Sequence, residues 1–449
     1  MSWAFRKRVL SFLKSSLWVV PVLSTLAAFL SVPLLRVLDK SIDFHFFGYT
    51  SDGARAMASI VSAAMLSFVV LFFSVLLLTV QIASSTLSPR IISRPFRSRT
   101  LKASLGLFVF TLIYSMAVVG RGTKGDIGQL VTAMVVVLTI ISICDFLFVV
   151  EHVSKQLRPA TVMAEVAEEG LRVIGAVYPL IIDEQDYTER GTGVGFLDLA
   201  ARVVTHVGKP GVVQALDIDG LADIAIRNDC IVEVVPQVGD FVTSRDEVFR
   251  IYGQGVNIAA QELFQHLALE RERTLEQDPA FAFRIIVDIA SKALSPAIND
   301  PTTAVLALDQ IQILLREVGW RRLDTGMVND TCGTLRLVYR TPNWEDFVAL
   351  AVTEIRQFGG SSMQVARRMR AMLEDLIPSL PAHRALALQR ELALLKTTIN
   401  HCFAIPEDRM RAESPDSQGL GGTPKRFGSR RVSKQSGSSE ATAVTSCKG

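Results

Sequence analysis

Ser59 to Ala83 is an uninterrupted apolar run without a charged residue, and a second apolar run, Ala103 to Val119, follows it after a basic loop. At 1.5 Å per residue each run, taken as a helix, is long enough to cross or nearly cross a hydrocarbon core of about 30 Å. Only a helix satisfies every backbone N–H and C=O within a single such segment, so this stretch predicts a transmembrane hairpin. The loop between the runs carries Arg90, Arg94, Arg97, Arg99 and Lys102. Short loops rich in Lys and Arg stay in the cytoplasm, which orients the hairpin.

Two more spans complete the membrane unit. Leu17 to Leu35 follows Arg6, Lys7, Arg8 and Lys14. It exceeds a signal-peptide apolar core and has no small-residue cleavage site before Arg36, so it predicts a retained helix, with Pro21 and Pro33 near its ends. Leu130 to Val150 forms the fourth span after a short turn, Gly120 to Gly128. With both termini cytoplasmic, eleven Lys and Arg flank the spans inside and five outside. The expected location is the inner (cytoplasmic) membrane of a cell, with the lipid bilayer as the first partner.

The chain has 449 residues, of which 49% are apolar and 20% charged, and the apolar excess lies before residue 151. The net charge of +3 supplies no argument for a nucleic-acid partner. The five cysteines are far apart and the six histidines scattered, without the spacing of a disulfide framework or zinc site. No metal and no cofactor are expected.

The predicted fold class is an α-helical membrane protein of four transmembrane helices followed by an α+β cytoplasmic domain. Its expected parts are a basic N-terminus (1–16), the membrane domain (17–150) and a connecting helix with a small β-rich subdomain (151–255). A mainly helical subdomain (256–405) and a disordered tail (406–449) follow. Pro159 to Ile174 reads as the connecting helix. Val212 to Ile218, Ile231 to Val235 and a pair ending at Ile251 read as strands, with a short helix from Leu221 to Arg227. The Gly239-Asp240 turn resembles the hairpins of lipoyl-like half-barrels, but no lysine between Lys209 and Lys292 stands ready to carry a cofactor. Val256 to Glu276 and Phe281 to Leu294 read as helical. Leu335 to Tyr339 reads as a strand, and helices are expected over Trp344 to Gln357, Ser361 to Ile377 and Ala382 to Phe403. After Pro406 the composition turns to Gly, Ser, Thr and basic residues, too polar for a core.

Three places carry polar groups where the pattern is otherwise apolar. Arg284, Asp288, Ser291, Lys292 and Ser295 recur at steps of three and four, one narrow stripe on a buried helix. The turn after it, Ser295 to Asp300, ends one helix and starts another, with Asp300 as N-cap and Pro301 at the first helical position. The exposed amides of that helix start, with Arg284 and Lys292 nearby, suit a small anionic ligand at Arg284, Asp288, Lys292, Ser295, Asn299 and Asp300. The structural alternative, a capped turn beside i,i+4 ion pairs, weighs more. Ser88, Pro89 and Arg90 form a membrane-interface motif, one turn or two from Gln81, and Asp145 interrupts the fourth span. An interfacial or interhelical role for Asp145 weighs above ion conduction. Arg367, Arg368 and Arg370 read as a solvated helix face. Gly191 to Gly195 lacks the spacing of a phosphate loop, and no catalytic signature is present.

Two passages resemble the bacterial membrane-protein family catalogued as domain of unknown function 2254. One is Gln81-Ile82-Ala83-Ser84-Ser85 with Ser88-Pro89-Arg90. The other is Val287-Asp288-Ile289-Ala290 leading into Ala293-Leu294-Ser295-Pro296-Ala297-Ile298-Asn299-Asp300-Pro301. The resemblance covers roughly Arg6 to Phe403 and implies a membrane-embedded N-terminal half and a soluble C-terminal half. Arg245 stands where the family pattern often has glycine. Three functions remain open: a non-enzymatic sensor or regulator, an oligomeric channel or transporter, and a membrane-tethered enzyme using the polar stripe. A homo-oligomer is compatible with each.

Overall fold

The computed structural model describes residues 3, 6, 16–42, 50–86, 90, 98–121, 127–156, 158–183, 201–254, 257–323 and 326–421. Four long helices open the chain: α1 (Val19–Ile42), α2 (Ser51–Thr86), α3 (Arg99–Arg121) and α4 (Gln129–Gln156). The last three contain the apolar runs expected of them, the first starts at Val19, two residues after the expected Leu17, and each is long and apolar enough to cross a membrane. Helix α3 lies at the centre, packed against the other three, and buries Leu101, Leu105, Phe108, Tyr114 and Val118. Leu30, Ile60, Leu77 and Leu147 on the outer three stand exposed, as lipid-facing side chains do in a bundle whose solvent is hydrocarbon.

Two of these helices lead out of the bundle. Helix α2 has 36 residues, about 54 Å of rise against a core of about 30 Å, and its end enters the region that follows. Helix α4 breaks at Arg158, whose extended backbone is the conformation that the following proline imposes, and Pro159 starts α5 (Pro159–Val177). Val162, Met163, Val166, Ala167 and Ile174 make the buried stripe of α5.

A β unit comes next: β1 (Ala201–Thr205), β2 (Gly211–Leu216), α6 (Ile218–Arg227), β3 (Cys230–Val234), β4 (Phe241–Val242) and β5 (Glu247–Gly253). Short helix α7 (Ala260–Phe264) and β6 (Leu267–Glu270) close it. Helices α8 (Pro279–Ala293) and α9 (Pro301–Gly319) follow, then β7 (Met327–Asn329) and β8 (Leu335–Tyr339). Helices α10 (Trp344–Gly359), α11 (Met363–Ser379), α12 (Ala385–Cys402) and α13 (Pro406–Ala412) complete the described chain. One sheet has the order β1-β5-β3-β8-β7 and the other β4-β2-β6. Val213, Leu221, Ile224, Val232, Phe249 and Leu337 fill the core they share with α6. A second core joins α5 with α8 to α12, around Phe283, Leu308, Leu315, Trp344, Phe347 and Met372.

Four expectations need correction. Val256 lies outside the described residues, and the helix expected from there to Glu276 is only α7, because Leu267 to Glu270 pair antiparallel with β2. A short apolar run fits either period, and an available strand edge decided this one. The strand expected to run to Ile218 stops at Leu216, since Asp217 accepts the Gly220 amide and starts α6. The division expected at residue 255 is crossed by β8, which pairs in parallel with β3, Val232 opposite Leu337. The folded chain continues past residue 405: α13 forms, and the Asp416 carboxylate accepts the amides of Gln418, Gly419 and Gly421.

That last segment also changes the arginine-rich face of α11. Arg367 and Arg368 are buried. Arg367 donates to the carbonyls of Ser414 and Gly421, and Arg368 to Asp309 and Gln312 of α9. Buried guanidiniums persist only with such partners. Arg245 has φ of +78°, in the left-handed region that glycine enters without strain.

Candidate functional site: a charged clasp at the end of the second span

Helix α8 begins where Asp278 accepts the Phe281 amide at 3.1 Å and Pro279 occupies its first turn. Burial raises the Asp278 carboxyl above its usual range in spite of its partner Arg273. Ala282, Phe283, Ile286, Val287, Ile289 and Ala290 are all buried, so Arg284, Asp288, Ser291 and Lys292 are the partly exposed positions in its middle.

This stripe meets the end of α2. The Lys292 ammonium donates to the Ser84 carbonyl at 2.6 Å. Ala83, its neighbour, is 4% exposed and belongs to the helical core of α5 and α8 to α12. Asp288 accepts from Arg90 Nη1 at 2.7 Å and from Arg284 Nε at 2.6 Å. Arg284 also grips Glu354 of α10 through both terminal nitrogens, at 2.5 and 2.7 Å. The result is an unbroken chain of ion pairs, Arg90–Asp288–Arg284–Glu354, running from beyond α2 across α8 to α10.

Charge-assisted, forked hydrogen bonds of this kind fix geometry as well as attract. The Arg284 guanidinium holds the Glu354 carboxyl below its usual range, and Glu354 in turn raises the basicity of Arg284. The Ser84 carbonyl falls in the last turn of α2, where helix carbonyls lack intrahelical partners and carry negative partial charge. Lys292 therefore caps a membrane helix from a different part of the chain.

The remaining members of the expected cluster lie in the turn. Ser295 Oγ donates to the Lys292 carbonyl at 2.7 Å, and the Asp300 amide reaches back to Ala293 O at 2.8 Å. Asn299 takes φ of +51°, a left-handed conformation that asparagine tolerates. The Asp300 carboxylate accepts the Thr303 amide at 3.1 Å and the Thr303 hydroxyl at 2.5 Å. Its negative charge thus occupies the start of α9, and Arg284 and Lys292 are engaged with Glu354, Asp288 and Ser84. The six residues form two structures, a clasp and a capped turn.

Ser88 and Pro89 lie outside the described residues. Gln81 is exposed on α2, and Asp145 accepts from Ser104 of α3 at 3.1 Å. Among the described residues no group of three or more His, Cys, Asp and Glu is placed to hold a metal ion. Sequence reading missed Glu354, which follows Arg284 by 70 residues without a local signal. It also missed the use of the Ser84 backbone, since a carbonyl leaves no mark on sequence.

Four membrane-length apolar helices, continuous at α2 and α4 with a mixed helix-and-sheet region, define a multi-pass membrane protein. More particularly, the chain belongs to the family described as predicted membrane protein, DUF2254, whose family model matches residues 14–375. It is 27% identical over 420 residues to an uncharacterized protein of Mycobacterium bovis, a match covering 90% of this chain and 80% of that relative. An uncharacterized protein of Mycobacterium tuberculosis shows the same identity and coverage. No solved structure matches. Both passages that carried the family resemblance fall within the matched residues, and the clasp joins them.

Proposed function

We propose that this protein is a non-enzymatic sensor or regulator of the cell membrane, in which a cytoplasmic domain passes its state to the four-helix unit through the end of α2. The observation that carries this reading is the clasp, which holds α2 to α8 through Lys292 and Ser84 and, through Arg90, Asp288, Arg284 and Glu354, to α10. Charged groups holding two packed elements suit a switch, because a competing charge can shift such an equilibrium by its differential affinity for the two states. The basic loop before α3 supports the cytoplasmic placement of this domain and of both termini.

The test is hydrogen exchange of the full-length protein in nanodiscs, wild type against Asp288→Asn. Coupling requires faster exchange in the last membrane turns of α2 as well as in α8 and α10. A change confined to α8 and α10 would reduce the clasp to local packing. Repeating the comparison with added inorganic phosphate asks whether a small anion competes for Arg284, Arg90 and Lys292, and native mass spectrometry of the same sample reports subunit number.

A further inference from the structure

Hydroxyl side chains within apolar helices commonly return their hydrogen to a carbonyl of their own helix. Thr25, Ser62, Ser74, Thr79 and Thr139 all do so here, each bonding the carbonyl four residues back. The seam between α3 and α4 departs from this habit. Thr111 and Ser142, both 0% exposed, bond each other across it at 3.1 Å, and Ser104 donates across it to Asp145 at 3.1 Å. Ser115 is also 0% exposed, yet among the described residues its hydroxyl oxygen finds no hydrogen-bond partner, and neither does the buried second oxygen of the Asp145 carboxylate.

These groups are ordered along the membrane. Ser104, Thr111 and Ser115, seven and then four residues apart, share one face of α3, and Ser142 and Asp145, three apart, share the facing side of α4. Ser104 to Ser115 covers about 16 Å of rise; the two turns between Ser104 and Thr111 are spanned on α4 by Asp145 and Ser142, which bond to them across the seam. Beyond Ser115 the Tyr114 hydroxyl donates to Val131 O at 3.1 Å, beside the Leu130 amide that Asp39 of α1 accepts at 2.9 Å. At the other end Lys102 is buried two residues before Ser104. Helix adhesion alone requires neither a carboxylate within a membrane span nor an unpartnered buried hydroxyl, both of which are costly away from water.

We infer that the α3–α4 seam is a proton path through the membrane unit, with Asp145 as the group that takes up and releases the proton and Ser142, Thr111 and Ser115 as its relays. A hydroxyl both donates and accepts, so it can receive a proton on one lone pair while giving up its own. Each relay oxygen carries one hydrogen before and after the transfer, having exchanged its own for the incoming one, and Asp145 alternates between carboxylate and carboxylic acid. The seam lies on α3 and α4 and the clasp on α2, so the path stands independently of the sensor reading.

The experiment is proton flux into liposomes containing the full-length protein and trapped pyranine, driven by a valinomycin-clamped potassium potential. The wild type is expected to conduct several-fold faster than protein-free vesicles. Asp145→Asn and Thr111→Val should fall to the protein-free rate, Asp145→Glu should keep most of the flux, and Ser67→Ala, on the exposed face of α2, should leave it unchanged. Wild-type flux equal to that of empty vesicles overturns the path, as does undiminished flux in Asp145→Asn. Should Asp145→Asn fail to fold, Thr111→Val decides, since it preserves volume; retention of flux there overturns the proposal equally.

Discussion

Lys292 places its ammonium 2.6 Å from the carbonyl oxygen of Ser84, a residue 208 positions earlier at the end of a membrane helix. The bond ties the least soluble part of the chain to the centre of its helical domain. It uses a carbonyl that the helix itself leaves unpaired, and a cation there is favoured by the helix dipole.

Replacing Lys292 with Met keeps the side-chain length and removes the charge. The expected cost is about 1 to 2 kcal/mol, felt locally as fraying of α2. Hydrogen exchange of the peptide containing residues 80–86 should speed up by roughly fivefold to thirtyfold. Unchanged protection would mean that the bond contributes nothing.

Arg90 and Asp288 should be energetically coupled, but weakly, because the Arg90 side chain is 46% exposed. A double-mutant cycle of Arg90→Ala and Asp288→Asn, read from chemical unfolding in detergent, is expected to give up to about 1 kcal/mol, shrinking as salt is raised. Strict additivity of the two substitutions would dissolve the proposed ion-pair chain at that link.

The clasp should open in acid. Arg284 depresses the Glu354 carboxyl in the folded state, so its contribution is present above the ordinary glutamate value, about 4.3, and is lost as pH falls through the lower folded value. Tryptophan fluorescence of the helical unit followed from neutral pH to about 3 should show that transition. Glu354→Gln should flatten this acid limb while lowering stability at neutral pH; an unaltered limb would assign the transition to other carboxyls.

The turn between α8 and α9 yields a prediction about stability. Asp300→Ala removes a cap and should cost about 1 kcal/mol. Asn299→Val forces a branched side chain into the left-handed region and should cost about 1 to 2 kcal/mol, whereas Asn299→Gly should be nearly neutral. Thermal unfolding of the three variants separates these values. Equal behaviour of the Val and Gly forms would be incompatible with the backbone conformation described.

Asp416→Ala should release the segment that covers Arg367. Limited trypsin digestion is expected to cut at Arg409 or Arg411 sooner in the variant than in the wild type, with the rest of the helical unit intact. Identical cleavage rates would show that residues 413–421 are held by something other than the Asp416 turn.

Legibility followed the range of the forces involved. The membrane helices, the Asp300 cap and the spacing of Arg284, Asp288 and Lys292 are properties of consecutive residues, and all could be read directly. Leu267 to Glu270 were misread because their pattern suits a helix until β2 offers its edge. Arg367 and Arg368 looked like surface because nothing nearby announces that Ser414, Gly421 and Asp309 will surround them.

By itself, then, the sequence determined that the chain enters a membrane, since an uncharged run of membrane length has few other stable environments. It also determined where α9 starts, because the Asp300 cap and Pro301 act within a single turn. Only the tertiary structure decided that the polar stripe of α8 faces the end of α2 and that Arg284 takes Glu354. It likewise decided that Asp145, Ser142, Thr111 and Ser104 form one seam. Each of these depends on packing helices far apart in the chain, and the apolar area that drives packing is non-directional; the charged and hydroxyl groups reveal their partners only once it has brought them together.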